Sequence, residues 1–191
     1  MSFTMKDVSE LKELTGAGMM NCQSALKEAN GDKVKAAEIL REKGIAGAAK
    51  KSGRIAAEGI VESYIHMGGK IGVLVEVNCE TDFVARNESF KELVKGIAMH
   101  IAASNPLYLD EGQIPADVKK KELEFHRSQM ADGKKPENVI EKILDGKMKK
   151  YYSDICLVHQ GYIREPEKTI TQLVTELTAK LGEKIAIRRF V

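Results

Sequence analysis

The sequence predicts an α+β fold, in which helices come first, followed by a small antiparallel sheet, further helices and one late strand. Three observations lead to this class. Apolar residues recur at helical spacing near the start and again through most of the second half. Two β-rich runs, RIAAEGIVESYIH and KIGVLVEVN, flank a Gly68–Gly69 pair that suits a tight hairpin turn. The alternating segment KIAIRRF is typical of a strand, and we expect it to pair with the hairpin.

The first part of the chain, residues 1–44, is predicted as a domain of three short helices. Thr4 is placed to cap the first helix. The second helix begins near Met19, after a turn bracketed by glycines, and the third is expected to close at Gly44. The stretch IAGAAKKSGR, residues 45–54, is small and basic, and we interpret it as a flexible linker.

Residues 55–191 are predicted as an α+β core that carries a helical hairpin. After the two strands, Asn87 is expected to cap a strongly amphipathic helix. Two further helices, over about 117–155, are joined by a short link and are therefore expected to lie antiparallel. The segment TITQLVTELTAKLG predicts a last helix with a stop at Gly182, and the late strand follows it.

Composition excludes several broad classes of protein. The net charge of +2 and the absence of aromatic residues among the basic segments argue against a nucleic-acid binder. No apolar run approaches the roughly 18 residues that a membrane helix needs, and the start lacks a secretory pattern. Cys22, Cys79 and Cys156 are far apart and form no metal-binding spacing, so a reducing cytoplasm and a chain without cofactors are expected.

Motifs that carry chemistry are absent from the sequence. There is no phosphate-binding loop, so the chain is not expected to bind a nucleotide itself, and no hydrolase or zinc-protease motif occurs. The four histidines are scattered, and a lone histidine such as His100 most often has a structural or surface role. A nucleophile and base formed by Cys79 and His100 stays as an alternative, which requires the two side chains to be close in space.

Two features suggest contact surfaces for another protein. Met19 and Met20 are adjacent at the start of a helix, so both cannot point into one small core, and methionine suits adaptable apolar surfaces. Asp82 and Phe83 form the second feature, at the point where a strand ends. Phenylalanine is usually a core residue, but Val84 and other apolar neighbours can already anchor this region, which leaves Phe83 free.

Long stretches of the chain resemble the bacterial elongation factor Ts family. TGAGMMNCQSALKEANGDKVKAAEILREKG is similar to the family's ubiquitin-associated-like N-terminal domain, and NCETDFVARN is similar to its most specific motif. MHIAASNPLYL and EPEKTITQLV add to the resemblance, which covers essentially the whole chain in the short form that has a single core unit.

The resemblance implies a guanine-nucleotide exchange factor for elongation factor Tu, without covalent chemistry of its own. Such a factor promotes the release of GDP and Mg²⁺ from its partner, which it meets in the GDP-bound and nucleotide-free states. The resemblance also implies the residues that touch the partner: Asp82 and Phe83 near its nucleotide site, with Thr81 and Val84 framing them; Lys12, Met19 and Met20 from the N-terminal domain; and His100.

Two other functions stay open on the residues alone. A binding module that recruits a partner without nucleotide exchange would explain Met19 and Met20 but would leave Asp82 and Phe83 without a role. An enzyme that uses Cys79 would be sensitive to thiol-blocking reagents. The late strand can pair within one chain or between two copies, so a homodimer is also open.

Overall fold

The computed structural model of the chain describes residues 3–130 and 136–191, and it confirms the predicted α+β class. A three-stranded sheet has β2 (Gly72–Cys79) between β1 (Glu58–Ile65) and β5 (Ala186–Phe190). The late strand therefore pairs with the hairpin, as expected. Leu74 and Val191 exchange both backbone hydrogen bonds at 2.9 Å, which is the pattern of an antiparallel pair. A separate two-stranded sheet joins β3 (Gly161–Tyr162) to β4 (Glu165–Thr169).

Three helices begin the chain: α1 (Met5–Thr15), α2 (Met19–Glu28) and α3 (Lys33–Lys51). Thr4 caps α1 as predicted, because its hydroxyl accepts the N–H of Asp7 while the Asp7 carboxylate accepts the N–H of Thr4. The carboxylate also pairs with Lys33 at 2.7 Å, and this pairing together with the cap holds the pKa of Asp7 far below its usual range. The three helices enclose a shared apolar core of small and aliphatic side chains: Val8, Leu11, Cys22, Ala25, Leu26, Ala29 and Ala36.

The third helix differs from the prediction, since α3 continues past Gly44 to Lys51. The predicted helix end at Gly44 is therefore wrong: residues 45–51 of the expected linker are helical, and only residues 52–54 lie outside the helix. Gly44 does not take the left-handed conformation that ends helices. Ala46, Ala48 and Ala49 then favour continuation, because alanine is the strongest helix former.

The later helices position the rest of the chain. A single helical turn, α4 (Asp82–Ala85), follows β2, and α5 (Glu88–Ser104) follows that turn. Asn87 accepts the N–H of Ser89 at 2.9 Å, as predicted for a cap. The helical hairpin is formed by α6 (Ala116–Ser128) and α7 (Glu137–Ile155), which pack together, and most of its predicted link lies outside the described residues. The last helix is α8 (Ile170–Leu181), and Gly182 ends it with a φ of 78°.

The chain divides into two compact units. The first contains the residues up to Val61 together with Glu76–Val94 and Gln172–Arg188, and the second contains Glu62–Val75, Lys95–Thr171 and Arg189–Val191. The N-terminal helices, the segment that follows β2 and most of α8 thus belong to the first unit. The predicted domain boundaries at 44 and 55 stay a prediction.

Candidate functional site

The candidate site is the corner that joins β2 to α5, residues 80–86. Thr81 is the cap of α4: its hydroxyl oxygen accepts the N–H of Val84 at 3.5 Å, and its carbonyl accepts the N–H of Ala85 at 3.2 Å. The turn closes at Arg86, whose N–H bonds to the Asp82 carbonyl at 3.1 Å. Asp82 and Phe83 are thus the first two residues of a helical turn that begins where the strand ends.

Phe83 lies on the outside of this turn, and 79% of its surface is exposed. Its neighbours take the core positions, since Val84 and Ala85 are buried and Phe90 is completely enclosed. A single turn of helix cannot point two consecutive side chains in the same direction, so the burial of Val84 directs Phe83 outward. The free chain therefore presents a large apolar ring to solvent, as the sequence suggested.

Asp82 is half-exposed beside the ring. Its carboxylate forms an ion pair with Arg86, four residues later on the same turn, at 3.0 Å. Both side chains are open to water, where such pairs contribute only about 0–1 kcal/mol of stability. A partner that offers a better charge arrangement can therefore recruit the carboxylate at little cost.

The corner is fixed by hydrogen bonds to residues that the sequence did not indicate. Glu183, just after α8, accepts the Thr81 N–H at 3.0 Å and the Thr81 hydroxyl at 2.7 Å. The next residue, Lys184, donates its backbone N–H to Glu80 at 2.6 Å, and Arg54 approaches the same carboxylate at 3.3 Å. The Lys184 N–H and Arg54 lower the pKa of Glu80.

No local signal in the sequence could have identified Glu183. It lies 102 residues from Thr81, and it stands in an ordinary helix-ending segment with no motif of its own. Only the antiparallel pairing of β5 with β2 brings the two together, and the sequence suggests that pairing without fixing its register.

The N-terminal helices present a second apolar surface. Met19 and Met20 begin α2, and 43% and 76% of their surfaces are exposed. Gly18 precedes them as the cap of α2, without a side chain to cover them. Lys12 is exposed on α1, and Leu14, which was not among the predicted contact residues, is also largely exposed near the end of that helix. Adaptable apolar side chains and a cation are thus available to another protein.

His100 lies in the interior of the second unit. Its Nδ1 accepts the N–H of Ile163 at 3.2 Å, so in the neutral ring Nε2 carries the proton and donates it to the Gln160 side chain at 3.0 Å. Burial lowers the pKa of His100, which favours this neutral form. Both ring nitrogens are used within the chain, and a direct contact of His100 with a partner stays a prediction.

A comparison with known protein families decides what these surfaces belong to. The family model described as elongation factor TS matches residues 4–191, which is nearly the whole chain. The chain belongs to the elongation factor Ts family. Members of the family are translation elongation factors, and the resemblance read from the motifs is confirmed.

Relatives within the elongation factor Ts family are similar to this chain over most of their length. The elongation factor Ts of Geobacter metallireducens is 56% identical over 191 residues, which is 100% of this chain and 88% of the relative. That of Caldanaerobacter subterraneus is 59% identical over 183 residues, covering 96% of this chain and 92% of the relative. That of Anaeromyxobacter dehalogenans is 58% identical over 185 residues, covering 97% of this chain and 84% of the relative.

Thiol chemistry at Cys79 is disfavoured in this elongation factor Ts chain. The side chain is buried, and burial raises the pKa of Cys79 to about 11, so the thiol is almost entirely protonated near neutral pH. Its Sγ donates to the Thr81 carbonyl at 3.2 Å, which places the thiol beneath the corner. A buried, protonated thiol is a poor nucleophile, and this argues against the enzyme that the sequence left open.

Neither a metal site nor a membrane-spanning helix is found in the part of the chain that the structure describes. There, no three His, Cys, Asp or Glu side chains are grouped so that they could hold a metal ion. Over residues 3–130 and 136–191, no helix is both long enough and apolar enough to cross a membrane.

Proposed function

We propose that the chain is the guanine-nucleotide exchange factor for elongation factor Tu and acts in the cytoplasm during translation elongation. In this proposal it holds no nucleotide itself and promotes the release of GDP and Mg²⁺ from its partner. The observation that carries the proposal is the exposed ring of Phe83, beside a carboxylate, on a turn that is fixed from behind. The choice of elongation factor Tu as the partner is supported by membership of the elongation factor Ts family.

Exchange requires that the factor bind the nucleotide-free partner more tightly than the GDP-bound partner. A factor with equal affinity for the two states would change neither. By linkage, the ratio by which the factor weakens GDP binding equals the ratio by which GDP weakens factor binding. Some contact of the chain must therefore form only when the nucleotide site of the partner has been disturbed.

Phe83 is suited to make that contact. Almost the whole ring is exposed, so its insertion into an apolar gap of the partner would gain roughly 1.5–3 kcal/mol. Since about 1.4 kcal/mol corresponds to a tenfold change in affinity, the ring can supply about one to two powers of ten of the coupling. Thr81 and Val84 frame the ring, the first as the cap of the turn and the second as its buried anchor.

Asp82 acts beside the ring and not as a metal ligand on its own. Mg²⁺ requires near-octahedral oxygen coordination and keeps several waters, so one carboxylate cannot extract it. The carboxylate instead competes for groups that surround the metal or repels the phosphates of GDP. Its weak pair with Arg86 leaves it available for this role.

The N-terminal helices act as a docking surface in the same proposal. Lys12, Met19 and Met20 contact the partner first, and this contact raises the effective concentration of the corner near the nucleotide site. The two surfaces therefore have separable effects. Docking changes the amount of complex, and the corner changes the rate of GDP release within it.

The test is the release of fluorescent GDP from elongation factor Tu, followed over a range of concentrations of the chain. The wild-type chain accelerates release, whereas a protein that only binds would form a complex and leave the rate unchanged. Phe83→Ala lowers the saturated rate by about tenfold or more, because the ring supplies one to two powers of ten. The matched control is Phe125→Ala, which removes a 55% exposed ring from α6.

Two results would contradict the proposal. One is a wild-type chain that leaves GDP release unchanged at every concentration. The other is a folded Phe83→Ala variant that stays within a factor of two of the wild-type rate, which would remove the role of the ring.

A further inference from the structure

We propose that Glu183 is a positioning residue for nucleotide exchange, which sets the orientation of Asp82 and Phe83 through Thr81. The inference rests on the proposed function of the corner and adds to it a residue from the other end of the chain. Both oxygens of the Glu183 carboxylate are used on Thr81: Oε2 accepts the backbone N–H at 3.0 Å, and Oε1 accepts the hydroxyl at 2.7 Å. Two bonds to one residue fix its rotation as well as its position.

The Glu183 carboxylate also sets the direction of the Thr81 hydroxyl. A hydroxyl has one proton to donate, and here the proton goes to Glu183. A lone pair of the same oxygen is then directed to the N–H of Val84, which caps the turn. Glu183 thus selects the hydroxyl orientation in which the turn that carries Asp82 and Phe83 is capped.

The neighbouring residue adds a second attachment. Lys184 donates its backbone N–H to Glu80 at 2.6 Å, and its ammonium group donates to the Arg54 carbonyl at 2.8 Å. Two consecutive residues after α8 therefore hold the two residues that precede Asp82. The bond from Lys184 to Glu80 uses the backbone, whereas both bonds from residue 183 to Thr81 use the Glu183 side chain, so a substitution of Glu183 removes them.

Phe83 has particular need of such support. Its ring is exposed and gains little orientation from packing, so its direction depends on the backbone of the turn. A turn that is already fixed in the orientation needed for binding avoids the entropy cost of ordering it on the partner. Loss of the Glu183 bonds is therefore expected to affect the rate of release more than the docking of the N-terminal helices.

The experiment compares Glu183→Ala and Glu183→Gln with wild type in the GDP-release assay. Glu183→Ala lowers the saturated release rate by about tenfold, because Glu183 acts through the ring of Phe83 and its loss cannot exceed the one to two powers of ten that the ring supplies. The chain concentration for half-maximal release stays within about a factor of two, because Lys12, Met19 and Met20 are unchanged. Glu183→Gln recovers part of the rate, since its amide can accept the Thr81 N–H and donate to the hydroxyl. The control is Glu141→Ala, an exposed glutamate of α7.

A double-mutant comparison separates positioning from general stability. If Glu183 acts by presenting Phe83, then Glu183→Ala slows release in the wild-type background and has no further effect in the Phe83→Ala background. Thermal unfolding of the same variants measures the structural contribution, which persists in both backgrounds. If Glu183→Ala does not fold, Glu183→Gln and Thr81→Val are compared in the same two backgrounds.

The outcomes distinguish this inference from the proposed function. If Phe83→Ala slows release but the Glu183 and Thr81 variants do not, the positioning role is overturned and the exchange function stands. If a Glu183 variant slows release equally with and without the ring, its effect does not pass through Phe83 and the inference is again overturned. If Phe83→Ala leaves release unchanged, the proposed role of the corner in exchange is wrong, and the positioning role of Glu183 is overturned with it.

Discussion

The imidazole of His100 shows how a single buried residue makes stability depend on pH. Its pKa is lowered by burial, so it stays neutral in the folded chain at pH values where the unfolded chain, with a histidine pKa of about 6.5, takes up a proton. The neutral ring of His100 therefore makes its full contribution to the free energy of unfolding above about pH 6.5. This contribution is lost as the pH falls below that value towards the lowered pKa of the folded state. The groups around the ring are Gln160, Ser104, the Ile163 N–H and the ring of Tyr162, whose centroid lies 6.1 Å away.

We predict that the free energy of unfolding of the wild-type chain falls between pH 7.5 and pH 5.5, by up to about 1.4 kcal/mol per pH unit from this residue. His100→Gln is less stable at both pH values but shows a smaller fall. Urea unfolding at the two pH values measures the difference. The matched comparison is His66→Gln, which replaces an exposed histidine. An unchanged pH dependence in His100→Gln would show that the ring does not control it.

At the level of single residues, the sequence predicted exposure well where the reason was local. Phe83 stands next to a carboxylate and before Val84, so one of the two apolar side chains had to face out. Met20 follows Met19 and cannot share its direction. The roles of Glu183 and Glu80 could not be predicted, because they depend on contacts with residues 102 and 104 positions away in the sequence.

Among the elements, α3 shows the limit of reading helix ends from glycine. A glycine ends a helix when it takes the left-handed conformation, and the sequence does not state whether it will. Gly44 stays helical, and its missing side chain leaves room for α8: a methyl group there would lie 3.1 Å from the Cβ of Ala179. The same residue that suggested a helix end is thus used for close packing.

We predict that Gly47→Ala stabilises the chain by about 0.5–1 kcal/mol, because alanine is the better helix former. A methyl group at Gly47 would approach only the end of the Lys51 side chain, at 3.7 Å, so no crowding opposes the gain. Thermal or urea unfolding measures the change. Gly44→Ala is the matched comparison, and its contact with Ala179 is expected to cancel the gain. A destabilised Gly47→Ala variant would argue against a continuous α3.

In the proposed function the chain combines a docking surface on the N-terminal helices with the corner at residues 80–86, and kinetics can separate their effects. We predict that Met19→Ala with Met20→Ala raises the concentration for half-maximal GDP release by about five- to tenfold, as expected when apolar contact area is lost. The saturated rate stays within a factor of two, because the corner is unchanged. The fluorescent-GDP titration gives both quantities.

Met67→Ala is the control for that titration. Met67 is 90% exposed in the hairpin turn between β1 and β2, so its removal tests whether any exposed methionine has the same effect. An unchanged titration is expected. A lower saturated rate in the Met19 and Met20 variant, with unchanged half-saturation, would reverse the roles assigned to the two surfaces.

The bonds between Thr81 and Glu183 also have a consequence for synthesis of the chain. They join residues separated by 102 positions, so the turn that carries Asp82 and Phe83 leaves the ribosome long before the carboxylate that orients it. Closing so long a loop costs conformational entropy that is repaid only when α8 and β5 are in place. During synthesis, the turn that carries the exposed ring therefore lacks both of these bonds until Glu183 has left the ribosome.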